Sequence, residues 1–187
     1  MDIRKLHSYW VLFLLPLIMG CPLGDEKCPF NDWERITTIE DMLDISPMKN
    51  SFRIGEEVNI SITIPDTVYM WNNAISLINE TNDFNPTITI SKKIEDLNLF
   101  DNDLNFTIGR LGKNRNTFHL QYNPDKEKFE LQFSVKLQTT GSYSIVANES
   151  RVFFGNQKDC NWFEIRTSLN GFEPIGREIF YEFTVIP

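Results

Sequence analysis

Nine residues in the second half of the chain alternate without a break. In Phe129-Glu-Leu-Gln-Phe-Ser-Val-Lys-Leu137 the apolar positions Phe129, Leu131, Phe133, Val135 and Leu137 share one face and the polar positions the other, the period of a half-buried strand. Phe118-His-Leu-Gln-Tyr122 alternates likewise, and the turn-forming Asn123-Pro-Asp-Lys-Glu-Lys128 between them predicts a hairpin. Val58-Asn-Ile-Ser-Ile-Thr-Ile64 ends at Pro65-Asp66, a strand stop. Pro86–Ile90, Leu104–Ile108, Gly141–Val146, Arg151–Phe154, Trp162–Ile165 and Ile179–Val185 complete the strand set. About seven to nine short strands with turn signals between them predict an all-β, antiparallel sandwich. Helical windows are few: Asp32 to Asp44 suggests a short helix, and Asn72 to Asn79 a turn or two.

The start of the chain follows a different pattern. Arg4 and Lys5 precede an apolar run from Trp10 to Met19. Ten helical residues rise only about 15 Å, half of a bilayer core, so this run is too short for a membrane span. A basic flank, a short apolar centre and a small residue before a cut point make a secretory signal. Leu17-Ile18-Met19-Gly20-Cys21 resembles the lipobox of bacterial lipoproteins, although Met19 stands where that family more often has Ala or Ser. The resemblance implies that Cys21 takes a diacylglycerol and becomes the first residue after cleavage. Read without it, the segment is a buried apolar helix whose cysteine is incidental. Several acyl chains, each contributing about 0.8 kcal/mol per buried CH₂, make a stable anchor. The implied location is the bacterial outer membrane, on its periplasmic or its outer face. Asp25 and Glu26 partly resemble the acidic surface-export signals of Bacteroidota lipoproteins, and equally suit a solvated acidic linker.

Charge then narrows the partners. The 187 residues carry 18 Lys+Arg against 26 Asp+Glu, a formal charge of −8. Loss of Arg4, Lys5 and Asp2 with the signal leaves 16 against 25, a net of −9. Such a body lacks the basic footprint of a nucleic-acid binder and will not adhere to anionic lipid unaided. The membrane is therefore expected as a partner only through the lipid on Cys21. With Cys21 lipidated, Cys28 and Cys160 remain, and outside the cytoplasm two leftover thiols usually pair. Such a bridge would close a loop from 28 to 160 and contribute roughly 4–5 kcal/mol on the chain-entropy description; two buried free thiols, or a reactive one, are the alternatives.

Two segments resemble immunoglobulin-like domains of bacterial surface proteins. Phe52-Arg-Ile-Gly-Glu-Glu-Val58 is similar to an F-x-x-G-[DE]-x-V opening, whose glycine permits a bend between strand halves. Thr140-Gly-Ser-Tyr143 is similar to a G-x-Y segment whose tyrosine hydroxyl bonds upstream backbone. The resemblance, to uncharacterised Bacteroidota lipoproteins with one such domain, spans about Phe52 to Val185 and brings no catalytic residues. The expected organisation is a signal peptide over 1–20, a lipidated linker with a possible short helix over 21–50, and an immunoglobulin-like β-sandwich over 51–187.

Chemistry is sparse. His119 is the single histidine after the signal and sits on the polar face of its strand, so neither a Ser-His-Asp site nor histidine metal ligation is expected. Gly109-Arg-Leu-Gly-Lys113 has the wrong spacing for a phosphate loop and reads as a turn. Asp96, Asp101 and Asp103 offer the oxygen donors calcium prefers but lack the glycine and distal glutamate of an EF-hand, and a solvated loop explains them better. Trp71 beside Asn72-Asn73 and Trp162 beside Asn161 are candidates for stacking on and hydrogen-bonding to a sugar. Tryptophans in sandwiches more often pack a core or rim. Asn-x-Ser/Thr triplets at Asn59, Asn79, Asn105 and Asn148 matter only if the lipobox reading is wrong, when they would favour a secreted glycoprotein. The expectation is a non-enzymatic, lipid-anchored envelope protein with a structural, adhesive or binding role, with no cofactor and no catalytic or metal residues. Its partner is an unknown envelope protein or glycan; a glycan- or protein-binding accessory lipoprotein is the alternative, and a secreted hydrolase a remote third.

Overall fold

A computed structural model describes residues 32–70, 72–156, 158, 160–169 and 180–187. A 3₁₀ turn (Asp32–Arg35) leads into β1 (Ile36–Ser46), β2 (Ser51–Arg53), β3 (Glu57–Pro65), β4 (Thr67–Met70) and β5 (Asn73–Ser76). One helical turn, α1 (Leu77–Thr81), precedes β6 (Thr87–Ser91), a second 3₁₀ turn (Leu99–Asp101), β7 (Asp103–Ile108), β8 (Arg110–Leu111), β9 (Thr117–His119) and β10 (Gln121–Asn123). Three long strands follow, β11 (Lys128–Lys136), β12 (Gly141–Phe154) and β13 (Phe163–Leu169), and β14 (Phe180–Ile186) closes the chain.

The strict alternation over Phe129–Leu137 produces the longest ladder. β11 pairs antiparallel with all of β3, setting Phe129 against Ile64 and Val135 against Val58. The other edge of β11 is shared by β10 at one end and β7 at the other. Two strands change partners half-way. The first half of β1 runs parallel to β13 and its second half antiparallel to β3. The first half of β12 pairs with β14, and its second half lies between β13 and β6. Twelve strands thus join in one continuous sheet, with β4 and β5 a separate hairpin.

Ring contacts show how that path folds. Phe133 of β11 stacks on Phe118 of β9 with centroids 4.9 Å apart, and Phe129 of β11 meets Phe154 of β12 edge-on at 4.8 Å. β11 lies near one end of the path and β9 near the other. The two arms therefore lie face to face, with Val58, Ile60, Ile62, Ile64, Ile88 and Val152 buried between them. Aromatic pairs of this kind add about 0.5–1.5 kcal/mol beyond their burial.

Gly55, at φ 89°, makes the bend between β2 and β3, and its N–H donates to the Leu137 carbonyl at 2.8 Å. The Tyr143 hydroxyl donates to the Thr139 carbonyl at 2.8 Å while its ring stacks on Phe183.

Several expectations are corrected. Among the described residues there are fourteen strands rather than about seven to nine, and the pairings are mixed, because β1 runs parallel to β13 and β2 parallel to β14. The short helix sought over Asp32 to Asp44, within the expected linker, is a 3₁₀ turn followed by β1. The window from Asn72 to Asn79 holds a hairpin strand before one helical turn. The strand over Phe118–Tyr122 divides at Leu120, so only β10 forms the expected hairpin with β11 while β9 joins β6 and β8. Gly109–Lys113 contains the short strand β8 rather than a simple turn. Gly141–Val146 and Arg151–Phe154, expected separately, are the two halves of β12.

Candidate functional site

The hairpin of β4 and β5 stands beside the first half of β1 because its own sequence is two-faced. Val68 and Met70 turn inward and are buried, whereas Tyr69 turns out and is 76% exposed. Asn72 follows at φ 67°, a left-handed conformation that asparagine adopts more readily than most residues. At the hairpin's base Asp66 accepts from the Ile78 N–H at 2.8 Å and from the Ser76 hydroxyl at 2.7 Å. Ser76 in turn caps α1 by accepting from the Asn79 N–H. These bonds fix the hairpin's angle of departure.

Between hairpin and sheet lies an open groove of about 770 Å³, lined by Ile36, Thr37, Thr38, Tyr69, Met70, Asn72 and Arg166. Among the described residues it presents an exposed aromatic ring, two hydroxyls, an amide and one guanidinium beside the apolar Ile36 and Met70, and no carboxylate. That is an inventory for stacking and hydrogen bonding, and it contains neither a nucleophile–base pair nor paired acids.

Arg166 is held from behind. Its Nε donates to Glu164 Oε1 at 3.0 Å, and Arg151 Nη1 approaches the same oxygen at 3.5 Å. Glu164 is only 6% exposed, whereas both arginine side chains remain nearly half exposed. A shielded carboxylate between two cations neutralises part of their repulsion and fixes the fork of Arg166.

The candidates read from sequence are dispersed. Cys21 and Cys28, the lipidation position and one disulfide position, lie outside the described residues, as does Trp71. Cys160 is disulfide-bonded, and its second sulfur is outside the described residues. Trp162 is half-buried, with the Arg35 guanidinium carbon 5.7 Å from its ring centroid. His119 is half-buried on the polar face of its strand, with ring Nδ1 3.4 Å from the Thr87 hydroxyl and 3.3 Å from the Asn85 carbonyl. Asp101 accepts from the Asn98 amide and Asp103 from the Gln138 amide, so each turns to a different partner. Among the described residues no three His, Cys, Asp or Glu side chains are grouped to hold a metal ion. No helix among them is long and apolar enough to cross a membrane.

Tyr69 and Arg166 were not singled out in the sequence. A signal existed for Tyr69, since Thr67-Val-Tyr-Met70 alternates and places the ring outward; Arg166 carries none until β13 is paired with β1. No family model, curated protein or solved structure matches this chain.

Proposed function

We propose that this protein is a non-enzymatic, lipid-anchored envelope protein whose β-rich body binds a glycan in the groove between β1 and the β4–β5 hairpin. The observation that carries the binding role is the 76% exposure of Tyr69 in a groove that also presents the hydroxyls of Thr37 and Thr38, the Asn72 amide and the Arg166 guanidinium beside the apolar Ile36 and Met70. An exposed ring beside such donors suits the apolar face and hydroxyl edges of a sugar.

The anchor is proposed from Gly20-Cys21 at the end of a short apolar run behind Arg4 and Lys5. Anchoring to the outer membrane, on its periplasmic or outer face, follows from the same segment. The bridge is proposed between Cys28 and Cys160. An immunoglobulin-like sandwich is proposed for the body: the partner changes of β1 and β12, the Tyr143–Thr139 bond and the facing Phe118 and Phe133 rings support it.

Metabolic labelling with a fatty acid tests the anchor: label is expected on the native chain and lost in Cys21→Ser, and unchanged labelling of the variant overturns it. Glycan-array binding with and without Tyr69→Ala tests the groove. Signal that survives the substitution moves the site elsewhere, and silence on every glycan favours a structural or protein-binding envelope role.

A further inference from the structure

The cross-strand registers of β1, β13, β12, β6, β9 and β8 place two outward rows side by side. One row holds Ile36, Glu164, Phe153, Thr87, His119 and Arg110; the next holds Thr38, Arg166, Arg151, Thr89 and Thr117. The residues between them, Ile165, Val152, Ile88 and Phe118, point into the core. Three arginines thus share this face, and Glu164 is the sole acid in either row. In a chain of net charge −8 that is a local inversion of sign. Six strands spaced about 4.8 Å apart carry the face across roughly 24 Å, from the groove to β8.

Arg166 stands where face and groove meet. Glu164 takes its Nε, and among the described residues its terminal nitrogens meet no acceptor. A guanidinium pinned through Nε still presents two parallel N–H donors, the fork that matches a carboxylate. The groove adds the Tyr69 ring for a sugar face, and the hydroxyls of Thr37 and Thr38 and the Asn72 amide for its edges. Resting on the glycan reading above, we infer that the ligand is an acidic polysaccharide whose uronate carboxylate is held by Arg166, with further carboxylates lying along Arg151 toward Arg110. Glu164 acts as a positioning residue, keeping the Arg166 fork aimed while staying shielded itself. Charge complementarity selects this occupant over a neutral glycan, and the exposed ring selects it over an acidic peptide, which offers no sugar face to stack.

The test measures affinity of the full mature chain for oligogalacturonate and for alginate oligomers, against fully methyl-esterified oligogalacturonate and poly-glutamate. Esterification keeps the sugar backbone and removes the carboxylate charge. One acidic oligomer is expected to bind, with affinity falling as salt rises and at least about tenfold weaker on esterification. Arg166→Ala should weaken it by about tenfold or more, and Arg166→Lys should restore only part, because an ammonium lacks the fork. Glu164→Gln should weaken the acidic oligomer without creating affinity for the ester. Lys128→Ala, an exposed cation on β11, should leave binding within about twofold, so that a general charge effect is separated from the site. Equal binding of the ester overturns the carboxylate assignment and leaves the glycan reading standing. Poly-glutamate binding as tightly as the oligosaccharides overturns both in favour of a peptide surface. No binding of any probe overturns the acidic-polysaccharide assignment and leaves the glycan reading to the array.

Discussion

Arg35 lies beneath Trp162 with no exposure to solvent: its Nη1 donates to the Trp162 carbonyl at 3.1 Å and to the Cys160 carbonyl at 2.8 Å. Its guanidinium carbon also sits 5.8 Å from the Phe163 ring centroid. One side chain thus joins the turn before β1 to the segment before β13, the two ends that must meet for β1 and β13 to pair in parallel. Arg35→Ala removes charge-assisted bonds and leaves a void, and is expected to cost about 2–4 kcal/mol. Arg35→Lys should recover less than half, since a point charge cannot both stack and bridge two carbonyls. Urea denaturation checks this through the midpoint at constant m; a loss within 0.5 kcal/mol (about the range of ordinary surface changes) would remove Arg35 as the joint.

Tyr143→Phe isolates one hydrogen bond. The ring is buried and stacked on Phe183, so the substitution keeps the packing and removes the hydroxyl that reaches the Thr139 carbonyl. A loss of about 1 kcal/mol is expected, seen as a lower melting temperature with an unchanged fold by circular dichroism. A neutral result would mean that water takes over the carbonyl at no cost.

How much of this was legible follows from where the pairing partners sit. β3 and β11 were readable because each keeps one ladder partner along its whole length, so a single alternation describes each strand. β1 was not. Its burial breaks phase at Asp41, whose φ of 54° marks a bulge, and Met42 and Leu43 are then both buried in succession. Ile36, Ile39 and Leu43 fall at spacings of three and four, which imitates a helical stripe. Leu120 hides another break: the alternation Phe118, Leu120, Tyr122 is continuous, but the Leu120 N–H bonds the Pro86 carbonyl and the strand changes neighbours there. The groove was not legible: Tyr69 shows only as an outward position in the Thr67–Met70 alternation, and Arg166 reaches the groove only through a parallel pairing that no local pattern encodes.

Acid should weaken the fold through two carboxylates, Glu56 at the turn before β3 and Glu130 near the start of β11. The Lys49 ammonium, and then the Arg53 N–H, hold Glu56 below its ordinary value of 4.5. The Asn123 amide and the Lys126 ammonium do the same for Glu130. A carboxyl whose folded value is depressed contributes stability that is complete above the ordinary value and is lost as pH falls through the folded one. Stability is therefore expected to be flat above about pH 5 in these two groups and to decline below about pH 4.5. The double variant Glu56→Gln, Glu130→Gln should show a shallower decline, measured as denaturation midpoint against pH. An unchanged slope would place the acid sensitivity in other groups.

Tyr181 contributes to the alkaline limb. Burial raises Tyr181 above its ordinary value of 10.0, and its hydroxyl donates to the Lys49 carbonyl at 2.7 Å while accepting from the Lys49 N–H at 2.9 Å. A group whose folded value is raised contributes stability that is complete below the unfolded value and is lost as pH rises through the folded one. Unfolding should therefore become easier above about pH 10, and Tyr181→Phe should flatten that limb while lowering stability at neutral pH by about 1 kcal/mol. Spectrophotometric titration of the phenolate band checks the assignment, since Tyr181→Phe must remove a late-titrating tyrosine; an unaltered late phase would assign it to Tyr122, which burial also raises.

The proposed Cys28–Cys160 bridge makes a prediction that separates it from the alternative pairing with Cys21. Only three cysteines exist, so lipidation of Cys21 leaves Cys28 as the sole partner for the disulfide-bonded Cys160. Non-reducing peptide mapping of the exported protein should yield one linked pair containing Cys28 and Cys160. Cys28→Ser should cost about 2–5 kcal/mol, less if the unfolded chain retains structure, and reducing agent should reproduce that loss in the native chain but not in the variant. A linked peptide containing Cys21 instead would defeat two proposals together, because a thiol committed to a disulfide cannot carry a thioether-linked lipid.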